Sequence, residues 1–112
     1  MKYGNKKVII DGIKFESELE GKRYVQLKLL QRAGEISNLR LQVPFLLQDS
    51  FRKNGKTYRK IEYIADFIYD EKGKTIVEDT KGVKTEVFKM KQKLFEYKYL
   101  NLSLKVITKE DI

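Results

Sequence analysis

Histidine and cysteine are both absent from this 112-residue chain. Without cysteine there is no disulfide framework, no thiolate metal site and no thiol nucleophile. Without histidine there is no Ser-His-Asp triad, no imidazole-ligated zinc and no imidazole general base. Any hydrolytic chemistry must therefore run on carboxylates, lysine and tyrosine. No apolar run approaches the roughly 18 residues needed to cross a bilayer. The residues up to Lys7 lead only into the short apolar segment Val8 to Ile10, which is not the pattern of an export signal. The expectation is a soluble, unexported, cytoplasmic protein with no membrane partner.

What is present is charge. The 24 Lys and Arg residues outnumber 16 Asp and Glu, giving a formal charge of +8 and a pI near 9.6. A balance this basic favours an anionic polymer as partner, with nucleic acid the foremost candidate. Apolar residues still make up 41% of the chain, enough for a packed core rather than a disordered segment. At this length the core is single, so residues 1–112 are read as one domain, and any site must share that core.

The chain divides into short elements. Asp11-Gly12 can supply the positive φ values of a tight turn between Val8-Ile9-Ile10 and Ile13-Lys14-Phe15, which predicts a small accessory hairpin from Lys7 to Phe15. Ser17 offers an N-cap with Glu20 at the capping-box position, and helical spacing continues to a stop at Gly34, so a helix is expected over 18–33. Leu39 to Leu47 is β-prone, with Pro44 marking an edge or a bulge. Asn54-Gly55 then leads into a second strand from about Lys56 to Tyr69, and Asp70 to Gly73 turns into a third over Thr75 to Lys81. Thr85 caps a second helix to about Tyr99, and Leu102 to Ile107 reads as a last strand. The expected fold is α/β of the α+β kind: a mixed sheet flanked by helices, in the order αβββαβ, after an N-terminal β-hairpin. The last strand should run parallel to its neighbour through a helical crossover.

Side chains alternate along a strand, so Asp79 and Lys81 share one face with Val77, while Glu78 lies on the other with Ile76 and Thr80. An acid and an ammonium two residues apart form a compact unit, in which the acid can bind a divalent cation and the lysine can orient or activate a water. Asp66 interrupts the β-rich run Ile61 to Tyr69 on the face expected to carry Ile64 and Ile68, where an unpaired charge is costly. Something must compensate it, and a metal would.

At this point the sequence resembles the PD-(D/E)xK nuclease superfamily. The likeness rests on Asp66 in Tyr63-Ile64-Ala65-Asp66-Phe67, on Asp79-Thr80-Lys81-Gly82 and on the αβββαβ order. A narrower likeness, to a small phage-borne, Holliday junction resolvase-like branch, rests on Tyr3-Gly4-Asn5-Lys6 through Phe15-Glu16-Ser17, on Glu20 and on Glu78 to Gly82. It covers nearly the whole chain. Ala65 stands where the superfamily's name has proline, a position that varies within it. The resemblance implies a restriction-endonuclease-like core and a Mg2+-dependent endodeoxyribonuclease, with Mn2+ able to substitute, in a bacterial cytosol. The metal would be held by Asp66, Asp79 and the backbone beside Asp79, with Lys81 positioning the attacking water. It also implies phage recombination, repair or DNA processing, on branched DNA in the resolvase case. A homodimer is expected then, since a four-way junction needs two symmetric cuts.

Many members of that superfamily bring a glutamate from the first helix to the metal. Of Glu16, Glu18 and Glu20, only Glu20 shares a helix face with Tyr24 and Leu27, although a capping box explains it equally well. In the second helix Lys84, Lys91 and Lys98 recur along the stripe of Val87, Phe88, Leu94 and Phe95. Lys91 could reach the active-site phosphate as a further catalytic residue, or lay its methylenes on the core and direct its charge to solvent.

Arg52, Lys53, Lys56, Arg59 and Lys60 surround the Asn54-Gly55 turn with no acid between Asp49 and Glu62. Such a tip, with Lys84, can contact DNA phosphates, giving salt-sensitive affinity without reading sequence. Lys2, Lys6 and Lys7 add a basic arm, and Tyr58, Tyr63 and Tyr69 are candidates for stacking on bases. Two other readings compete. One is a non-catalytic nucleic-acid-binding module. The other is a nuclease subunit needing a phage or host DNA-processing partner.

Overall fold

The computed structural model describes residues 6–112. Lys2 of the expected basic arm and the Tyr3-Gly4-Asn5 stretch lie outside them. Asp11 and Gly12 both adopt positive φ, 55° and 74°, the requirement of a type I′ turn, and join β1 (Val8–Ile10) to β2 (Ile13–Phe15). The hairpin is more than the accessory edge expected of it. Phe15 is buried, its ring 4.9 Å from that of Tyr24, and Val8, Ile10 and Ile13 pack on the same cluster. Gly21 permits this approach, because a Cβ there would stand 2.7 Å from Val8 Cγ2.

Helix α1 (Glu18–Arg32) begins where the Ser17 hydroxyl accepts the Glu20 N–H. It ends in a Schellman motif: Gly34 at φ 82°, its N–H bonded to Gln31 O, and Glu35 N–H bonded to Leu30 O. Leu19, Glu20, Tyr24 and Leu27 are buried, and Glu18 is exposed. The chain then forms β3 (Ser37–Gln48), a two-stranded ribbon of β4 (Phe51–Lys53) and β5 (Lys56–Tyr58), and β6 (Ile61–Glu71). The single strand expected from Lys56 to Tyr69 is thus interrupted at Arg59 and Lys60, and the ribbon is a separate sheet. Strand β7 (Lys74–Thr80), helix α2 (Glu86–Lys98), strand β8 (Leu104–Ile107) and a 3-10 turn over Lys109–Asp111 complete the chain.

The main sheet has the order β3-β6-β7-β8. β3 and β7 pair antiparallel with β6, and β8 is parallel to β7 across α2, so the sheet is mixed, as expected. Pro44 lies on the edge strand, where its missing N–H costs no interior ladder bond. Helix α2 is tied down at two points: Tyr99 donates its hydroxyl to Leu46 O at 2.7 Å, and Glu96 accepts the Leu104 N–H at 2.8 Å. Its seam is narrower than the expected stripe. Phe88 and Phe95 are buried, whereas Val87 and Leu94 are exposed.

Two apolar clusters occupy the core. One gathers Tyr63, Ala65, Ile68, Val77, Phe88 and Phe95 against α2; the other gathers Phe15, Tyr24, Leu27, Phe67 and Tyr69 against α1. Leu39 and Leu41 of β3 pack with the α1 cluster, yet Val43, Phe45 and Leu47 pack with the α2 cluster. In β6, Tyr63 and Ala65 likewise belong to the α2 cluster and Phe67 and Tyr69 to the α1 cluster. Residues two apart should share a face, so both strands reverse their facing between these pairs. The register Leu41↔Phe67 and Val43↔Ala65 stays one-to-one across the reversal. Gln42 and Asp66 are the residues at which it happens. Gln42 takes φ 53°, a left-handed conformation that costs a non-glycine residue on the order of 1–3 kcal/mol and is uncommon within a strand.

Candidate functional site

The β6–β7 ladder runs from Glu71↔Lys74 to Phe67↔Glu78 and goes no further. One step beyond, where Asp66 and Asp79 would pair, the strands part. The Asp66 carboxylate takes over the ladder's role: its Oδ2 accepts the Thr80 N–H and the Thr80 hydroxyl, both at 2.9 Å. Its Oδ1 is 3.4 Å from Gln42 Nε2. Two expectations about Asp66 need correction. It does not sit on a regular face between Ile64 and Ile68, because Ile64 is 49% exposed while Ile68 is buried against α2. Nor is its charge uncompensated, since three donors face it.

Asp79 lies on the α2 side of β7, as the alternation requires, and is buried. The Tyr63 hydroxyl donates to its Oδ1 at 2.8 Å, and Lys81 Nζ stands 3.0 Å from its Oδ2. Among the described residues the Lys81 ammonium is the one partner of that buried Oδ2. Lys81 also lies over the Phe88 ring, 4.5 Å from the centroid, so the first turn of α2 backs its ammonium. Burial and the nearby Asp66 charge raise the Asp79 pKa, and Lys81 and Tyr63 oppose the rise. Burial and Asp79 in turn push the Tyr63 phenol up, keeping it a donor.

Glu20 enters from α1. Its Oε1 accepts the Glu16 N–H at 3.2 Å, so it caps the helix one residue earlier than a reciprocal capping box would. Its Oε2 accepts from Gln42 Nε2 at 3.0 Å. Capping and facing the site therefore coexist, one oxygen to each. Burial raises the Glu20 pKa to about 7, assisted by the charges of Asp66 and Asp79. The exposed Glu16 and Glu18 take no part in this group. Three carboxylates thus meet where the sheet splits, held by Gln42, Thr80, Tyr63 and Lys81. Among the described residues no three acids close into a ready-made cation cage.

Two supporting features escaped the sequence. Gln42 bridges Glu20 and Asp66 from the edge strand, and nothing in its local pattern marks it. Glu78 is fully buried and receives Arg23 Nε at 2.8 Å and Nη2 at 2.6 Å, together with the Tyr69 hydroxyl. This pairing holds the Arg23 guanidinium charged, and burial with Glu78 pushes the Tyr69 phenol up. Arg23 lies one helical turn beyond Glu20 and Glu78 precedes Asp79, so the ion pair pins the two site-bearing elements together. The only signal for it was that Glu78 faces away from Asp79.

The remaining candidates lie apart. Lys91 is half-buried in the seam between Phe88 and Phe95, with no ion-pair partner among the described residues, and Lys84 and Lys98 are exposed. Arg52, Lys53, Lys56, Arg59 and Lys60 are all exposed on or beside the ribbon. Arg52 donates to Thr57 Oγ1 at 2.8 Å, and Lys60 stands 3.3 Å from Glu62. Tyr63 and Tyr69 are buried with their hydroxyls committed to Asp79 and Glu78, which rules them out as base-stacking residues; Tyr58 is half-exposed.

No described helix is long and apolar enough to cross a membrane. No curated protein matches the chain. A solved structure described as "Crystal structure of SSO0001" is similar over 82% of this chain at 24% identity, with a TM-score of 0.42. This chain spans 47% of that one. A family model described as "Protein of unknown function (DUF1064)" matches residues 1–111, and the chain belongs to that family.

Proposed function

We propose that this chain is a divalent-cation-dependent endodeoxyribonuclease of the PD-(D/E)xK type, with Glu20, Asp66, Asp79 and Lys81 as its working residues. The observation that carries the reading is the convergence of three carboxylates, Glu20, Asp66 and the buried Asp79, beside Lys81 at the point where the sheet splits. Acids crowded in this way raise the pKa values of Glu20 and Asp79, a tension that a bound cation would relieve. Carboxylate oxygens are the donors that Mg2+ and Mn2+ prefer. Asp66, Asp79 and Glu20 would hold the ion, which when bound supplies Lewis-acid polarisation of the phosphate and a more acidic water.

The side chains have distinct tasks. Lys81, held by Asp79 and backed by Phe88, orients the attacking water and offsets charge developing on the phosphate. Tyr63 fixes the Asp79 carboxylate from below. Glu20, with a pKa of about 7 in the cation-free site, would give up its proton as a cation binds there. Lys91 is a reserve cation on the α2 seam, directed either to the phosphate or to solvent. The exposed basic ribbon and Lys84 hold the DNA backbone, and a homodimer would place two such sites on a branched substrate. A cytosolic role in phage recombination or repair accords with this chemistry.

The test is incubation of supercoiled, linear and four-way-junction DNA with Mg2+ or with EDTA, alongside Asp79→Asn and Lys81→Ala. The expected result is cation-dependent nicking, reduced at least a hundredfold by either substitution. Cleavage that persists in EDTA, or that ignores Asp79→Asn, rejects the assignment. Binding without cutting favours a non-catalytic module or a subunit that needs a partner.

A further inference from the structure

Among the described residues most aromatic side chains are buried, but two stand together in solvent. Phe51 on β4 is 45% exposed and Tyr58 on β5 is 39% exposed. They are a direct cross-strand pair, with ring centroids 4.7 Å apart and planes within 8°. The ribbon that carries them belongs to neither core cluster and is hydrogen-bonded to no other sheet among the described residues. Alternation places Lys53 and Lys56, themselves a cross-strand pair, on the same ribbon face as the rings. Lys56 Nζ lies over the Tyr58 ring, 5.1 Å from its centroid. Tyr58 thus has both Phe51 and Lys56 against its ring, while Phe51 keeps 45% of its surface in solvent.

An exposed ring pair flanked by cations, on a strip with no acid between Asp49 and Glu62, combines the two elements that hold unpaired nucleotides: an aromatic plane for the base and cations for its phosphates. Paired bases present no free ring face except at helix ends, so such a plane has little to gain from continuous duplex. We propose that the β4–β5 ribbon is a stacking platform, in which Phe51, backed by Tyr58, takes an unpaired base and Lys53 and Lys56 take the adjoining phosphates. The occupant is therefore DNA with a single-stranded or unstacked segment. This rests on the nuclease reading above, and it narrows the substrate from DNA in general to a fork, flap or junction. Tyr58, at the end of the ribbon, precedes Asp66 by eight residues, at most about 29 Å of extended chain. That bound keeps the platform and the split sheet within reach of one bound strand.

The rings could serve only to stabilise the ribbon, so the variant must spare its strands. Phe51→Val/Tyr58→Val keeps β-branched side chains at both positions while removing the ring faces. Binding of the full chain in EDTA is measured by fluorescence anisotropy against an oligo-dT single strand, a blunt duplex of equal length and inorganic polyphosphate as competitor. For the double variant we expect about a tenfold loss on the single strand. Duplex affinity and polyphosphate competition should change less than twofold, and the salt dependence should keep its slope. Restoring one ring, as in Phe51→Tyr/Tyr58→Val, should recover part of the loss. An equal loss on all three probes, or none on the single strand, overturns the platform alone. Failure of the parent chain to bind any DNA overturns the nuclease reading as well.

Discussion

Glu20 concentrates the electrostatic tension of the site in one side chain. Its carboxyl has a pKa of about 7 when folded against 4.5 for the free group. Between those values the folded chain retains a proton that the unfolded chain releases, so stability falls as pH rises through this window. Below about pH 4.5 both states are protonated and the penalty vanishes. Glu20→Gln keeps an acceptor for the Glu16 N–H and removes the charge. In cation-free buffer it should be more stable than the parent by on the order of 2 kcal/mol at pH 8 and nearly equal to it at pH 4.5, as read from urea unfolding. A gap that fails to narrow on acidification would show that burial, with the Asp66 and Asp79 charges, does not raise the Glu20 carboxyl in solution. The helix-face argument was enough to choose Glu20 over Glu16 and Glu18, because burial on α1 follows a simple period. It could not divide the two oxygens between cap and site, since that depends on Gln42, 22 residues away.

Among the elements, α1 and β7 are joined by the Arg23–Glu78 ion pair. Removing one partner strands a buried charge, at a cost of about 3–5 kcal/mol, whereas replacing both with apolar groups is close to neutral. Arg23→Met should therefore lower stability by several kcal/mol, and Arg23→Met/Glu78→Leu should recover most of it. The discriminating measurement is cleavage, or Mn2+ affinity by calorimetry, in the recovered double variant. A positioning role for the pair requires that these remain impaired even though stability returns; full recovery of both would reduce the pair to a stability element. The element order, both caps, the edge position of Pro44 and the parallel β8 could be read in the sequence, because turns, caps and apolar periods are local signals. The interruption at Arg59 and Lys60 was masked by the even β-propensity of its surroundings. The facing reversal at Asp66 was hidden because period-two reasoning assumes an unbroken pleat. Arg23 and Glu78 are 55 residues apart, beyond the reach of any local pattern.

At the scale of the whole molecule, a formal charge of +8 is spread over a small domain, but its densest acid-free stretch is the ribbon. If the ribbon holds DNA phosphates, affinity must fall steeply with salt, by about 0.9 logarithmic units per contact for each tenfold rise in concentration. Replacing Arg52, Lys53 and Lys56 together with serine should flatten that dependence by about 2–3 units on duplex DNA, measured between 50 and 300 mM KCl. An unaltered slope would move the phosphate contacts elsewhere on the surface. The paired reversal at Gln42 and Asp66 has a consequence for chain length. An extended strand would need one residue more or one fewer to aim Leu41 and Val43 at opposite helices, and its neighbour would need the same change between Ala65 and Phe67. The left-handed turn of Gln42 makes that half-step by torsion, at no cost in residues. It leaves the two strands in register and sets a carboxylate and an amide opposite each other at the seam. The seam is thus a fixed point of the fold: a single added or deleted residue in either strand near it would turn one cluster inside out, and a matched change in both would keep the register yet turn that half of the sheet away from its helix.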